Sequence, residues 1–138
     1  MNITNIIKSA KTIAVVGLSD KPERYSYQVA EYLQKHGYRI IPINPNVTEV
    51  LGETSYPDLL SIPKETSIDI VDIFRRSELV RPHVKEAVKR GDAKLIWMQE
   101  GVENEEAKKI AEESGIAVVM NACLMVQHKN NEQQNRTT

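Results

Sequence analysis

The stretch Thr12-Ile13-Ala14-Val15-Val16-Gly17-Leu18-Ser19-Asp20-Lys21-Pro22-Glu23-Arg24-Tyr25-Ser26 decides the fold. Its first five residues are a short, largely β-branched run of the kind carried by strands buried on both faces. Gly17 breaks the run, and the polar loop behind it opens a segment in which Val29, Ala30 and Leu33 share one helical face. Gly37 ends that periodicity where a left-handed helix cap sits, and a second run, Arg39-Ile40-Ile41-Pro42-Ile43, follows at once. Strand, helix and strand in so short a span make a βαβ unit, whose strands are parallel.

The pattern continues outward. Ile68 to Ile73 forms a third run, although its alternation of apolar residues with Asp also fits a strand with one polar face. Leu79, Val80, Val84, Ala87 and Val88 then repeat at helical spacing before Gly91, and Leu95-Ile96-Trp97-Met98 forms a fourth run. Ala107, Ile110 and Ala111 do the same before Gly115, and Ile116 to Met120 is the fifth. These elements predict an α/β fold: a three-layer, Rossmann-like, doubly wound parallel sheet of about five strands, in the order 3-2-1-4-5. The link from Asn44 to Thr66 holds Pro45, Gly52, Pro57 and Pro63, and reads as a loop with at most a short helix. Gln127 to Thr138 contains no apolar residue, so the expected domain is residues 1–128, with 129–138 a disordered polar tail.

A chain of 138 residues fits one domain, and 41% hydrophobic with 27% charged residues is an ordinary globular composition. The formal net charge of −1 offers no global field for nucleic acid or an acidic membrane surface, so any anion site is local. No apolar run approaches the ~20 residues of a membrane span. Neither nucleic acid nor membrane is therefore an expected partner. Cys123 is the single cysteine and the amino terminus lacks a signal-like segment, which together predict a cytoplasmic protein.

In a doubly wound sheet the ligand site lies at the carboxyl ends of the strands. After the first run, the amides of the Gly17 loop, Ser19, Ser26 and the cation of Arg24 suit a phosphate, although an ordinary turn with Ser26 as helix cap explains the same residues. The G-x-G-x-x-G fingerprint is absent, because Gly17 stands alone. The second run ends in Asn44-Pro45-Asn46 where an NAD site places an acid for the ribose hydroxyls, which disfavours hydride transfer. The third run leads into Phe74-Arg75-Arg76-Ser77, two adjacent guanidiniums that either flank an anion or are solvated helix-start residues. After the fourth run, Met98-Gln99-Glu100-Gly101 adds a donor and acceptor at Gln99 and room for close backbone approach at Gly101.

Taken in order, Val15-Val16-Gly17-Leu18-Ser19, Pro42-Ile43-Asn44-Pro45, Phe74-Arg75-Arg76-Ser77-Glu78 and Gln99-Glu100-Gly101-Val102 resemble the bacterial stand-alone coenzyme A-binding domain family. That family is similar to the coenzyme A-binding domain of the succinyl-CoA synthetase α subunit, and the resemblance runs from about Ile6 to His128. It implies that Gly17, Leu18, Ser19, Asp20, Tyr25 and Ser26 wrap a pyrophosphate and that Asn44 and Pro45 flank an adenosine. Phe74, Arg75, Arg76, Met98, Gln99 and Glu100 would line the route of a pantetheine arm. Members often read Met-Asp-x-Cys near the fifth strand, whereas this chain has Met120-Asn121-Ala122-Cys123, which questions any role for an acid there. Cys123 itself reads either as a small buried apolar group or as a thiol able to form a mixed disulfide with coenzyme A.

The expected function is binding of coenzyme A or an acyl-CoA, as carrier, sensor or partner subunit, with no catalytic residue and no metal. Nothing matches the second domain of the synthetase, with its phosphorylated histidine. His36, His83 and His128 read as a helix end, a helix residue and a tail residue, each an ordinary surface or capping group. An enzyme on the same fold and a protein-interaction module are the alternatives, and a protein partner is left open.

Overall fold

The computed structural model describes residues 2–137, with side chains through Gln134. A short helix, α1 (Ile3–Ser9), starts at Asn2, whose side chain accepts from the Asn5 amide, and buries Ile6 and Ile7. Then follow β1 (Thr12–Val16), α2 (Tyr25–Lys35) and β2 (Arg39–Ile43), the βαβ unit that the opening stretch predicts. A two-residue hairpin, β3 (Glu49–Val50) and β4 (Glu53–Thr54), turns through Leu51 and Gly52, both at positive φ as a type I′ turn requires. One 3₁₀ turn, Leu59–Ser61, leads to β5 (Ile70–Ile73), and another, Ser77–Leu79, runs directly into α3 (Val80–Arg90). The chain ends with β6 (Leu95–Met98), α4 (Glu105–Glu113), β7 (Ala117–Val119) and α5 (Leu124–Thr137). None of the described helices is long and apolar enough to cross a membrane.

All five main strands are parallel, in the order β2-β1-β5-β6-β7. In terms of the five sequence runs this is 2-1-3-4-5, so the expected order 3-2-1-4-5 is wrong in one placement. The third strand lies beside β1 rather than outside β2. Its four residues are all buried, as suits an interior strand, and its link from β2 carries no crossover helix that would hold it at the β2 edge. That edge is flanked by the hairpin and by Tyr56, bridged to Ile43. Arg90 pins the link by donating to the carbonyls of Leu59, Ile62 and Thr66 and pairing with Asp92 at 2.9 Å. The reversal of strand order, and with it the ligand crevice, therefore falls between β1 and β5.

Alternation along the strands divides the core. Ile13, Val15, Ile70, Leu95 and Trp97 pack under α1, α2 and α5, while Ala14, Val16, Val71, Ile73, Ile96 and Met98 pack under α3, α4 and the 59–61 turn.

The segment expected to be a disordered tail is helical as far as α5 extends, and only Thr138 lies outside the described residues. Leu124, His128 and Asn131 lie at helical spacing and are buried. The stripe becomes polar after its first turn, and hydrogen bonds replace apolar contact: Tyr32 Oη lies 2.8 Å from His128 Nδ1, and Gln127 Nε2 donates to Asn131 Oδ1 at 2.9 Å. A count of apolar residues is blind to burial of this kind.

Candidate functional site at the carboxyl ends of the strands

Backbone bonds continue past the last strand residues and hold the strand-end loops in fixed register. Gly17 donates to Ile43 O at 2.9 Å, Phe74 to Val16 O at 2.8 Å and Ala122 to Met98 O at 3.3 Å. Gly17 lies at φ +83°, and a Cβ placed there would come within 2.3 Å of the Phe74 carbonyl oxygen and 3.2 Å of Arg75 Cδ. Only glycine allows this approach. The loops after β1 and β5 thus meet at the point where strand order reverses, and the Arg75 side chain lies over Gly17.

Side chains complete the framework. Ser26 is not a helix cap: Arg24 precedes α2 with no capping bond, and the Ser26 hydroxyl accepts from the Ser19 amide at 3.0 Å, folding the loop back on the helix start. The Ser19 hydroxyl accepts from the Lys21 amide at 3.1 Å. Asn44 donates to Leu18 O and accepts from the Asn46 amide, both at 2.9 Å, so its amide ties the loops after β1 and β2 together. Leu18 is fully buried, Asp20 and Pro45 are exposed, and Met98 packs in the core beneath α3 and α4. Of the predicted site residues, Leu18, Asn44 and Met98 therefore act on the crevice as framework.

Tyr25, Phe74, Gln99 and Glu100 form a wall. The Tyr25 ring meets Phe74 edge-on at 5.8 Å, and its hydroxyl donates to Glu100 Oε1 at 2.9 Å. Burial, the Cys123 thiol and the Glu100 carboxylate raise the Tyr25 pKa, so the phenol stays protonated. Gln99 is 1% exposed, and its amide donates to Tyr25 Oη at 3.3 Å while accepting from the Leu124 amide at 3.1 Å.

Arg24, Arg75 and Arg76 make no ion pair and no side-chain hydrogen bond among the described residues. Arg75 is half-buried, whereas Arg24 and Arg76 are exposed. Burial, and then the positive charge of Arg75, lower the pKa of His83, a half-buried residue of α3 whose Nδ1 lacks a hydrogen-bond partner. His83 Nδ1 lies 3.8 Å from Glu86 Oε1 one turn further along α3, so the residue is half-buried on its helix rather than on the open surface that the sequence predicts.

Four further residues lie at or beneath the site. Asn121 takes φ +56°, its Oδ1 accepts from the Gly101 amide at 2.7 Å, and its own amide donates to Val102 O. One carboxamide oxygen does what an aspartate oxygen would do, and Asn tolerates the left-handed conformation, so the change from the family's Asp leaves this bond intact. Ser77 locks the neighbouring loop: its hydroxyl accepts from the Glu103 amide at 2.9 Å, and Asn104 donates to its carbonyl at 2.9 Å. Cys123 is 6% exposed among apolar neighbours. The side chain of Asp72 is fully buried between Val15 and Trp97 with neither oxygen partnered, and burial raises its pKa well above the usual carboxylate range.

An open parallel sheet whose strand-end loops converge on cations unpaired among the described residues, without the dinucleotide fingerprint, belongs to the Rossmann-like class. Residues 11–129 match the family model described as CoA binding domain, and the chain belongs to that family. The chain is 44% identical over 126 residues to the protein YneT of Bacillus subtilis, covering 91% of each. It is 28% identical over 104 residues to the ADP-forming acetate–CoA ligase II of Archaeoglobus fulgidus, matching 74% of this chain but 15% of the ligase. Among solved structures, Prb, the PH1109 protein redesigned for binding, superposes with a TM-score of 0.89 at 40% identity over 94% of this chain and 89% of that one.

Proposed function

We propose that the protein binds coenzyme A or an acyl-CoA across the carboxyl ends of its strands, as a carrier, sensor or partner subunit without catalytic residues of its own. The observation that carries this reading is the set of guanidiniums at the reversal of strand order that have no ion pair among the described residues, with Arg75 laid over Gly17. Coenzyme A presents a pyrophosphate and a 3′-phosphate, and guanidinium binds such groups through paired, charge-assisted hydrogen bonds. The Gly17 loop and the start of α2 offer backbone amides for the pyrophosphate. Asn44 and Pro45 adjoin the adenosine, and Phe74, Tyr25 and Glu100 border the pantetheine arm. Asn44 is already bonded to two loops and supplies no carboxylate for a ribose, which sets the site against NAD.

Calorimetric titration with coenzyme A, 3′-dephospho-CoA and NAD tests the reading. The expected order of affinity is coenzyme A, then 3′-dephospho-CoA, then NAD. NAD binding as tightly as coenzyme A would overturn it.

A further inference from the structure

Gln99 stands on the ligand route proposed above, yet its polar atoms face protein. Its amide nitrogen donates to Ile73 O at 3.3 Å and its carbonyl accepts from Val102, so the sheet and the following turn fix its backbone. Its side-chain oxygen holds the amide of Leu124, the first residue of α5, and its side-chain nitrogen holds the phenol of Tyr25, the first residue of α2. The same phenol donates to the exposed Glu100 carboxylate and faces the Cys123 thiol. One buried amide thus joins the starts of two helices and sits behind the two crevice groups that a ligand would touch.

We propose that Gln99 is a positioning residue that transmits ligand engagement at the Tyr25–Glu100 pair to the first turn of α5, and so sets how open the Cys123 thiol is to solvent. The proposal rests on reading the strand-end crevice as the coenzyme A site. Its physical basis is that a buried amide left without partners is costly. A ligand that draws Tyr25 or Glu100 outward draws the Gln99 amide after the phenol, because staying behind would leave its buried nitrogen without a partner, and that movement loosens the Leu124 amide. Further along the same helices, Tyr32 and His128 stay joined at 2.8 Å, so α5 tilts about that contact instead of detaching.

Alkylation of Cys123, the single cysteine, by iodoacetamide reads the first turn of α5 directly. In the wild type, saturating coenzyme A, capped beforehand on its own sulfur so that it does not consume the reagent, should raise the Cys123 alkylation rate by about tenfold, a factor equivalent to one net hydrogen bond. In Gln99→Leu the unliganded rate should already be raised by about that factor, and coenzyme A should no longer change it. Gln99→Glu separates positioning from mere packing. The protonated acid keeps both a donor for Tyr25 and an acceptor for Leu124, whereas the ionised form loses the donor and opposes Glu100. Its rate relative to Gln99→Leu at the same pH should therefore fall toward the wild-type ratio as pH drops. The titratable groups around it are Tyr25, Glu100, Cys123 and, one register step lower on the same face of the sheet, Asp72. Tyr25→Phe and Gln99→Leu should combine non-additively on the alkylation rate. Thermal melting confirms that each variant is folded, and Gln99→Met, close in volume and without an amide, replaces Leu if Leu does not fold. The proposal is overturned if Gln99→Glu tracks Gln99→Leu at every pH, if the two changes add, or if coenzyme A binds the wild type without changing Cys123. A wild type that does not bind coenzyme A overturns the site reading instead, and the unliganded variants still decide whether Gln99 positions α5.

Discussion

The two ends of the sheet handle charge in opposite ways. At the amino-terminal end, the Arg90 side chain is 7% exposed and has all its donors directed at carbonyls and at Asp92, while Asp69 accepts from the amides of Lys11 and Thr12 and pairs with Lys94 at 3.7 Å. Asp92 also accepts from the Ile68 amide, and these bonds hold its carboxyl below the usual range against the opposing effect of burial. At the carboxyl end, Arg24, Arg75 and Arg76 have no such partners. The same side chain is architecture where its charge is satisfied inside the fold and, in the function proposed above, a binding group where it is not. Glycines divide in the same way: Gly17 and Gly91 share a φ near +80°, yet a Cβ at Gly91 meets nothing within 4 Å.

That contrast is open to direct attack, and the largest effect belongs to the glycines. Gly17→Ala adds left-handed strain to a collision with the Phe74 carbonyl, and should cost about 2–6 kcal/mol of stability, whereas Gly91→Ala pays the strain alone at about 1–2 kcal/mol. Urea denaturation of both variants measures the difference, and equal losses would break the comparison. Arg90→Ala should lose about 2–4 kcal/mol, because it strands Asp92 and three carbonyls, while coenzyme A affinity in the folded fraction stays near wild type.

Arg75→Ala should do the reverse. Coenzyme A binding weakens by roughly ten- to a hundredfold with little change in melting temperature, and Arg75→Lys recovers part of the loss. Calorimetry and thermal melting on one preparation decide it, and wild-type affinity in the Ala variant would remove Arg75 from the site.

Asp72 is a buried polar group without partners, and it tests whether every such group in the molecule is costly. Its folded pKa is raised, so above about pH 4 the unfolded chain gives up a proton that the folded chain keeps, and stability falls as pH rises. Asp72→Val should therefore stabilise by about 1–3 kcal/mol at pH 7, by more at pH 8 than at pH 5, as read by urea midpoints.

The smallest effect concerns His128. Burial lowers its pKa, with Glu132 opposing, so below about pH 6.5 the unfolded state binds the proton more readily and stability declines on acidification. His128→Phe should flatten that decline, and an unchanged slope would assign it to His83, whose pKa is also lowered.

Much of the molecule is legible in one dimension because strands and helices leave local periods. The five runs, the helical faces and the stop at Gly91 follow from side-chain spacing and from glycine's access to the left-handed region. Asn44 at the end of the second run, where an acid would mark an NAD site, is legible for the same reason. The sequence shows Gln99 only by its position after a strand, which points to a ligand contact, and hides the two helix starts that its amide also joins. The sequence alone places His128 in a polar tail, because burial of its side chain depends on Tyr32, 96 residues away.

By itself the sequence determined the parallel α/β class, the loops of the proposed site and the cations among them, since each depends on neighbours within a few positions. Which side of β1 receives the third strand was decided only in three dimensions, because periodicity carries no information about lateral order. The division between paired and unpaired arginines was decided there too. Arg75 and Arg90 are the same residue type, and only the carbonyls and carboxylate that the fold brings to Arg90, and withholds from Arg75, set them apart.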